Sequence, residues 1–103
     1  TLKQPVLGIC LGMQLMCNSS EEGNTKGLEI FDVAVKKFSS SVKVPQMGWN
    51  VISDLKSDLF NGIKEKEFMY LVHSFYAEKC DETIATTDYE IAYASALQKD
   101  NFY

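Results

Sequence analysis

A chain of 103 residues can enclose one hydrophobic core but not two, so it forms at most a single domain. Its 46% hydrophobic and 23% charged residues are ordinary for a globular protein, and a net charge of −4 disfavours a nucleic-acid surface. No apolar run approaches the ~18 residues of a bilayer span, and no basic-then-apolar start resembles a secretory signal; three irregularly spaced cysteines (Cys10, Cys17, Cys80) give neither a disulfide framework nor a zinc pattern, which points to a reducing cytoplasm.

In chain order, Pro5-Val-Leu-Gly-Ile9 predicts a short buried strand over Val6 to Ile9. Strands that apolar sit centrally in a sheet, flanked on both sides. No such neighbour precedes it, there is no initiating Met, and Asn101-Phe102-Tyr103 stops where another strand begins. The expectation is a partial domain, with strands missing before it and a further region after it. Cys10 to about Ser19 predicts a helix, ended by the polar stretch Asn18 to Asn24. Glu29 to Phe38 alternates as a strand with Ile30, Val33 and Val35 inward, and Ser39 to Ser41 is a turn. Pro45 to Asn50 is expected to be irregular, leading into Val51-Ile52. Asp54 to Gly62 predicts a short helix stopped by its glycine. Phe68 to His73, Thr83 to Thr87 and Tyr93 to Leu97 read as strands, with a turn at Lys99 to Asn101. One strand-to-helix unit followed by several strands gives an α/β domain with a mixed sheet.

The stretch richest in chemistry is Gly8-Ile-Cys10-Leu-Gly12-Met-Gln14. It sets a cysteine between two glycines where a strand passes into a helix, the arrangement of a nucleophile elbow. Flanking positions in so sharp a turn must be small, because a Cβ on either side would collide. The following helix aims its N–H groups and positive dipole end at the sulfur, which favours thiolate. The N–H of Leu11 is placed to donate to an oxyanion. Cys17 and Cys80 have no such setting and are expected in the core and in a loop.

This heptapeptide closely resembles the nucleophile motif of the class I (triad-type) glutamine amidotransferases. Within that family, Lys43-Val-Pro-Gln-Met-Gly-Trp-Asn50 and Tyr70-Leu-Val-His-Ser-Phe-Tyr76 resemble the glutaminase subunit of imidazole glycerol phosphate synthase, in the same order and at similar spacing. The likeness covers essentially the whole chain. One departure is Gln46, where a histidine is common among relatives. The resemblance implies a flavodoxin-like α/β domain with a mixed sheet, present here in part. It implies hydrolysis of L-glutamine to glutamate and ammonia through a thioester on Cys10, with no cofactor and no metal. Ammonia would pass to a (β/α)8-barrel cyclase subunit for histidine biosynthesis. By family position Gln14, His73, Ser74 and Phe75 would hold the amino-acid end of glutamine, while Trp49 with Pro45, Met47 and Asn50 would face the cyclase. On composition alone Trp49 reads as a core aromatic, whereas Gly48 and Asn50 beside it suggest that it lies exposed in a loop. Neither a nucleic acid nor a membrane is an expected partner.

A cysteine nucleophile needs a general base, and the sequence has one histidine. Chemistry alone would pair His73 with Cys10. In the family the base belongs to a His-x-Glu pair on a later strand, expected just beyond Tyr103, and His73 matches the substrate-binding segment instead. A plain satisfied histidine at a strand end is the third possibility. The chain then holds the nucleophile without its base, and by itself is expected to turn glutamine over negligibly. Two alternatives stand beside this one. The acceptor could be that of anthranilate, guanylate or carbamoyl phosphate synthesis, against which Pro45 to Asn50 argues, or the fold could serve as a non-catalytic interaction module. The acidic groups at Glu21-Glu22, Glu65, Glu67 and Asp81-Glu82 have no metal-site or paired-carboxylate spacing and are expected in solvated loops.

Overall fold

A computed structural model describes residues 2–103. After an extended segment, helix α1 (Leu11–Leu15) leads to strands β1 (Cys17–Ser20), β2 (Thr25–Lys26), β3 (Phe31–Lys37), β4 (Gln46–Ile52), β5 (Glu67–His73), β6 (Phe75–Ala77), β7 (Thr83–Tyr89) and β8 (Ile91–Leu97), with 3-10 turns at Glu22–Asn24 and Asp58–Phe60. Six strands form one sheet in the order β2-β1-β3-β6-β8-β7, and β4 and β5 form a separate antiparallel pair. β1 runs parallel to β3 and the other named pairs are antiparallel, so the sheet is mixed as expected.

The core lies on this sheet. Phe31, Val33 and Val35 alternate inward along β3 and pack with Met16, Cys17, Ala77, Ala94 and Leu97. The edge strand β7 is covered by the chain that leaves β4. Ser53 and Thr86 exchange two backbone hydrogen bonds at 2.8 and 2.9 Å, and the Lys56 N–H donates to Ile84 O at 2.9 Å. That contact joins the two sheets and removes an open edge.

Four expected elements change. The helix after Cys10 ends at Leu15, because Asn18, Ser19 and Ser20 have low helix propensity and are recruited into the parallel pairing of β1 with β3. Pro45 follows a cis peptide, and Gln46 onward is regular strand, not an irregular segment. Seven registered pairs with β5 outweigh the poor strand propensity of Gly48 and Asn50. The helix over Asp54 to Gly62 shrinks to one 3-10 turn, because Asp54 and Ser57 take positive φ (56° and 121°), which a right-handed helix does not accommodate. Val6 to Ile9 is extended but not buried. Among the described residues it pairs on one side only, with residues 101–103, and leaves Ile9 75% exposed.

Candidate active site

Cys10 stands at the junction of that one-sided ladder with α1. The ladder is parallel: the Val6 N–H donates to Asn101 O, Tyr103 N–H to Val6 O and Gly8 N–H to Tyr103 O, all at 2.8–2.9 Å. Downstream, the Gly12 N–H donates to Ile9 O at 3.0 Å and Gln14 N–H to Cys10 O at 3.1 Å. Held from both sides, Cys10 takes φ 58° and ψ −113°. A side chain other than glycine persists there only when its surroundings over-determine it, at a cost of roughly 1–3 kcal/mol, and such strain gathers at functional sites. Its thiol is exposed.

A Cβ at Gly8 would lie 2.8 Å from the Gly12 carbonyl carbon and 2.9 Å from the Met13 nitrogen, so the glycine is required by backbone that cannot yield. At Gly12 a Cβ meets nothing within 4 Å. The expected crowding is therefore real on the strand side and absent on the helix side, where the position faces open space. The five-residue α1 also supplies less macrodipole than a ten-residue helix would, so electrostatic help at the sulfur is confined to the N–H groups of its first turn. Among the described residues the Leu11 N–H takes no backbone acceptor.

A cavity of about 420 Å³ opens beside this turn, lined by Cys10, Gln14, His73 and Phe75 together with Tyr70, Tyr93, Ser95 and Tyr103. That volume lies within the roughly 300–1,000 Å³ of small-molecule sites. Four expected site residues from two distant sequence segments thus line one cavity. Ser74 does not line the cavity; it is half-buried at the corner between β5 and β6, where its carbonyl accepts from the Phe38 N–H at 3.1 Å. The Leu11 side chain faces a separate, smaller cavity.

His73 is held at both ring nitrogens. Nδ1 lies 2.7 Å from Phe75 O and Nε2 lies 3.0 Å from the Tyr93 hydroxyl. Burial pushes its pKa down, partly countered by the Phe75 carbonyl. The Tyr93 oxygen is in turn 2.7 Å from the side-chain amide of Gln46, which is fully buried. Gln14 Nε2 donates to Phe75 O at 3.4 Å, so that carbonyl receives both the helix after the cysteine and the imidazole.

The residues expected to face a partner divide by register. Met47 opposes Val72, Trp49 opposes Tyr70 and Val51 opposes Phe68, which places six apolar side chains on one face of the β4–β5 pair. Trp49 is 68% and Met47 59% exposed, and the Trp49 and Tyr70 rings meet edge to face at 5.4 Å. Trp49 is exposed as expected, though on a strand rather than a loop. Asn50 pairs with Met69 on the opposite face, and Pro45 is half-buried before the strand begins. Cys17 is wholly buried in the core and Cys80 sits in a loop, half-buried, both as expected. No helix among the described residues is long and apolar enough to cross a membrane.

The profile of the family described as "Glutamine amidotransferase class-I" matches residues 1–102. The chain belongs to the class-I glutamine amidotransferases. Among its relatives are proteins named imidazole glycerol phosphate synthase subunit HisH. That of Bacteroides fragilis is 59% identical over 105 residues, covering 99% of this chain and 54% of the relative. The Haemophilus influenzae protein is 40% identical, covering 99% and 52%. The Methanococcus maripaludis subunit HisH 2 is 44% identical, covering 98% and 52%. The chain spans about half the length of the curated relatives it matches.

Two residues of the hydrogen-bond chain at this cavity were not singled out as site residues in the sequence. Tyr93 reads in sequence only as the start of a strand, and Gln46 as a variant in a docking segment. A buried tyrosine hydroxyl demands a partner, and that demand was the available signal.

Proposed function

We propose that the gene product is the glutaminase subunit of an imidazole glycerol phosphate synthase. It hydrolyses L-glutamine and delivers ammonia to a (β/α)8-barrel cyclase in the cytoplasm. The observation that carries this reading is the strained, exposed Cys10 on the wall of a cavity shared with Gln14, His73 and Phe75. In it, the Cys10 sulfur attacks the side-chain amide carbon of glutamine, and the Leu11 N–H donates to the oxygen that becomes negative. Ammonia leaves, and water cleaves the glutamyl thioester to free glutamate and restore the thiol. Gln14 and the backbone of His73, Ser74 and Phe75 hold the amino-acid end of the substrate.

His73 does not serve as the base, because Phe75 O and the Tyr93 hydroxyl already occupy its two nitrogens. The proton acceptor comes from outside these residues. The apolar β4–β5 face, centred on Trp49 and Met47, receives the cyclase, in keeping with the enrichment of exposed Trp and Met at interfaces.

The test is glutamine hydrolysis by the full-length gene product with and without a cyclase subunit. Turnover is expected, and its absence in both cases sinks the proposal. The 103-residue chain alone is expected to show none above background. Normal turnover by it would return His73 to the role of base. Trp49→Ala is expected to weaken cyclase binding by at least about tenfold, the scale of an interface anchor, with little change in the stability of the free subunit.

A further inference from the structure

The hydrogen-bond chain that ends on Phe75 poses a question of proton supply. A carbonyl only accepts, so the hydrogen of the 2.7 Å contact between His73 and Phe75 O belongs to Nδ1. A neutral imidazole with that hydrogen carries a bare lone pair at Nε2, and the atom facing it at 3.0 Å is the Tyr93 hydroxyl oxygen. Tyr93 has one proton to give. If it goes to Gln46 Oε1, at 2.7 Å, then Nε2 confronts an oxygen with no hydrogen between them, unless the ring is doubly protonated. Burial opposes that charged form. On the far side, Gln46 Nε2 is buried with no partner at all.

Rotating the Gln46 amide by 180° resolves both faults. It exchanges Nε2 with Oε1 without changing the shape of the side chain. The amide N–H then donates to the Tyr93 oxygen, the Tyr93 O–H to His73 Nε2, and the His73 Nδ1–H to Phe75 O. What remains is a buried carbonyl oxygen lacking a donor, a commoner occurrence than a buried orphan N–H.

We propose that Gln46 and Tyr93 are positioning residues, which act through a neutral, Nδ1-protonated His73 to fix the Phe75 carbonyl that Gln14 also engages. Its substrate rests on the glutaminase reading above; its geometry does not. Tyr93 lines the cavity, and Gln46 stands behind it. Their effect reaches glutamine through the corner between β5 and β6 and through the Gln14 side chain that grips it. This also gives a physical reason for a polar, fully buried side chain at the start of β4, where an apolar one would fill the space.

Nitrogen-resolved NMR of the His73 ring in the full-length protein near pH 8 tests the network. Protonated Nδ1 and bare Nε2 are expected; a proton on Nε2, alone or with Nδ1, overturns it. Steady-state kinetics test the role. Tyr93→Phe keeps the ring and removes the donor to His73 Nε2, and Gln46→Met keeps the length and removes the amide that holds the Tyr93 hydroxyl in place. Each should raise KM for glutamine about three- to tenfold, the net contribution of one hydrogen bond, and leave kcat within about twofold. Gln46→His retains a ring N–H donor and should restore a KM near that of the unsubstituted protein. Unchanged KM in both relay variants overturns the positioning role while the glutaminase reading stands. A full-length protein without glutaminase activity overturns that reading, and the ring measurement still decides the network.

Discussion

Cys10 and Cys17 bracket the same short helix, and the fold gives the two thiols opposite surroundings. Cys10 is exposed, sits at a positive φ and borders the 420 Å³ cavity. Cys17 has no exposed surface, begins β1 with its Sγ 3.5 Å from Met13 O, and has its pKa pushed up to about 12 by burial, with Cys80 nearby adding to the effect. The same side chain is thus a candidate nucleophile in one place and inert packing in the other. Backbone geometry and desolvation make the difference, and residue type does not.

The sharpest way to break this contrast is to delete each sulfur in the full-length protein. Cys10→Ala is expected to lower glutamine turnover by about a thousandfold or more. Cys17→Ala should leave turnover within a few-fold and lower unfolding free energy by about 1–3 kcal/mol for the small cavity it opens, read from urea denaturation. The opposite pattern would reverse the roles assigned here.

The two glycines of the turn sharpen it further. Gly8→Ala forces a Cβ into the backbone of Gly12 and Met13 and should destabilise by about 2 kcal/mol or more, with loss of the turn. Gly12→Ala enters open space within a helix and should be neutral or stabilising by up to about 1 kcal/mol. Thermal denaturation of the two variants side by side reads the difference.

The smallest effect concerns pH. An unfolded Cys17 thiol ionises near its ordinary value of 9.0, and the folded one stays protonated to about 12. The raised folded pKa means that its stabilising contribution is complete below 9 and is lost as pH rises through that window. A pH series of denaturation midpoints should therefore fall more steeply in the alkaline range than in Cys17→Ala. At pH 8 iodoacetamide should label Cys10 well before Cys17, detected by peptide mass.

The cavity was legible from sequence because its members carry chemistry in short motifs. Cys10 and Gln14 lie one helical turn apart, and His73 to Phe75 carry the chain from the end of the strong strand β5 into β6. Strands with branched or aromatic runs, β3, β5, β7 and β8, were likewise readable from local pattern. What local pattern missed depends on partners remote in sequence. β4 exists because Gln46 to Ile52 finds β5, and β1 because Cys17 to Ser20 finds β3. The polar network on His73 escaped for the same reason, since Gln46 and Tyr93 lie 47 positions apart and each looks unremarkable alone.

The ladder between residues 6–8 and residues 101–103 has a kinetic consequence. Bringing those segments together closes a loop of almost the whole chain, and such closures come late because their entropy cost must be met before the contacts form. The backbone that forces Cys10 into its strained conformation therefore assembles after local pairings such as the β7–β8 hairpin. A partly folded chain in which residues 101–103 have not yet paired with residues 6–8 carries Cys10 as a relaxed, ordinary thiol, and the strained presentation of its sulfur waits on that pairing.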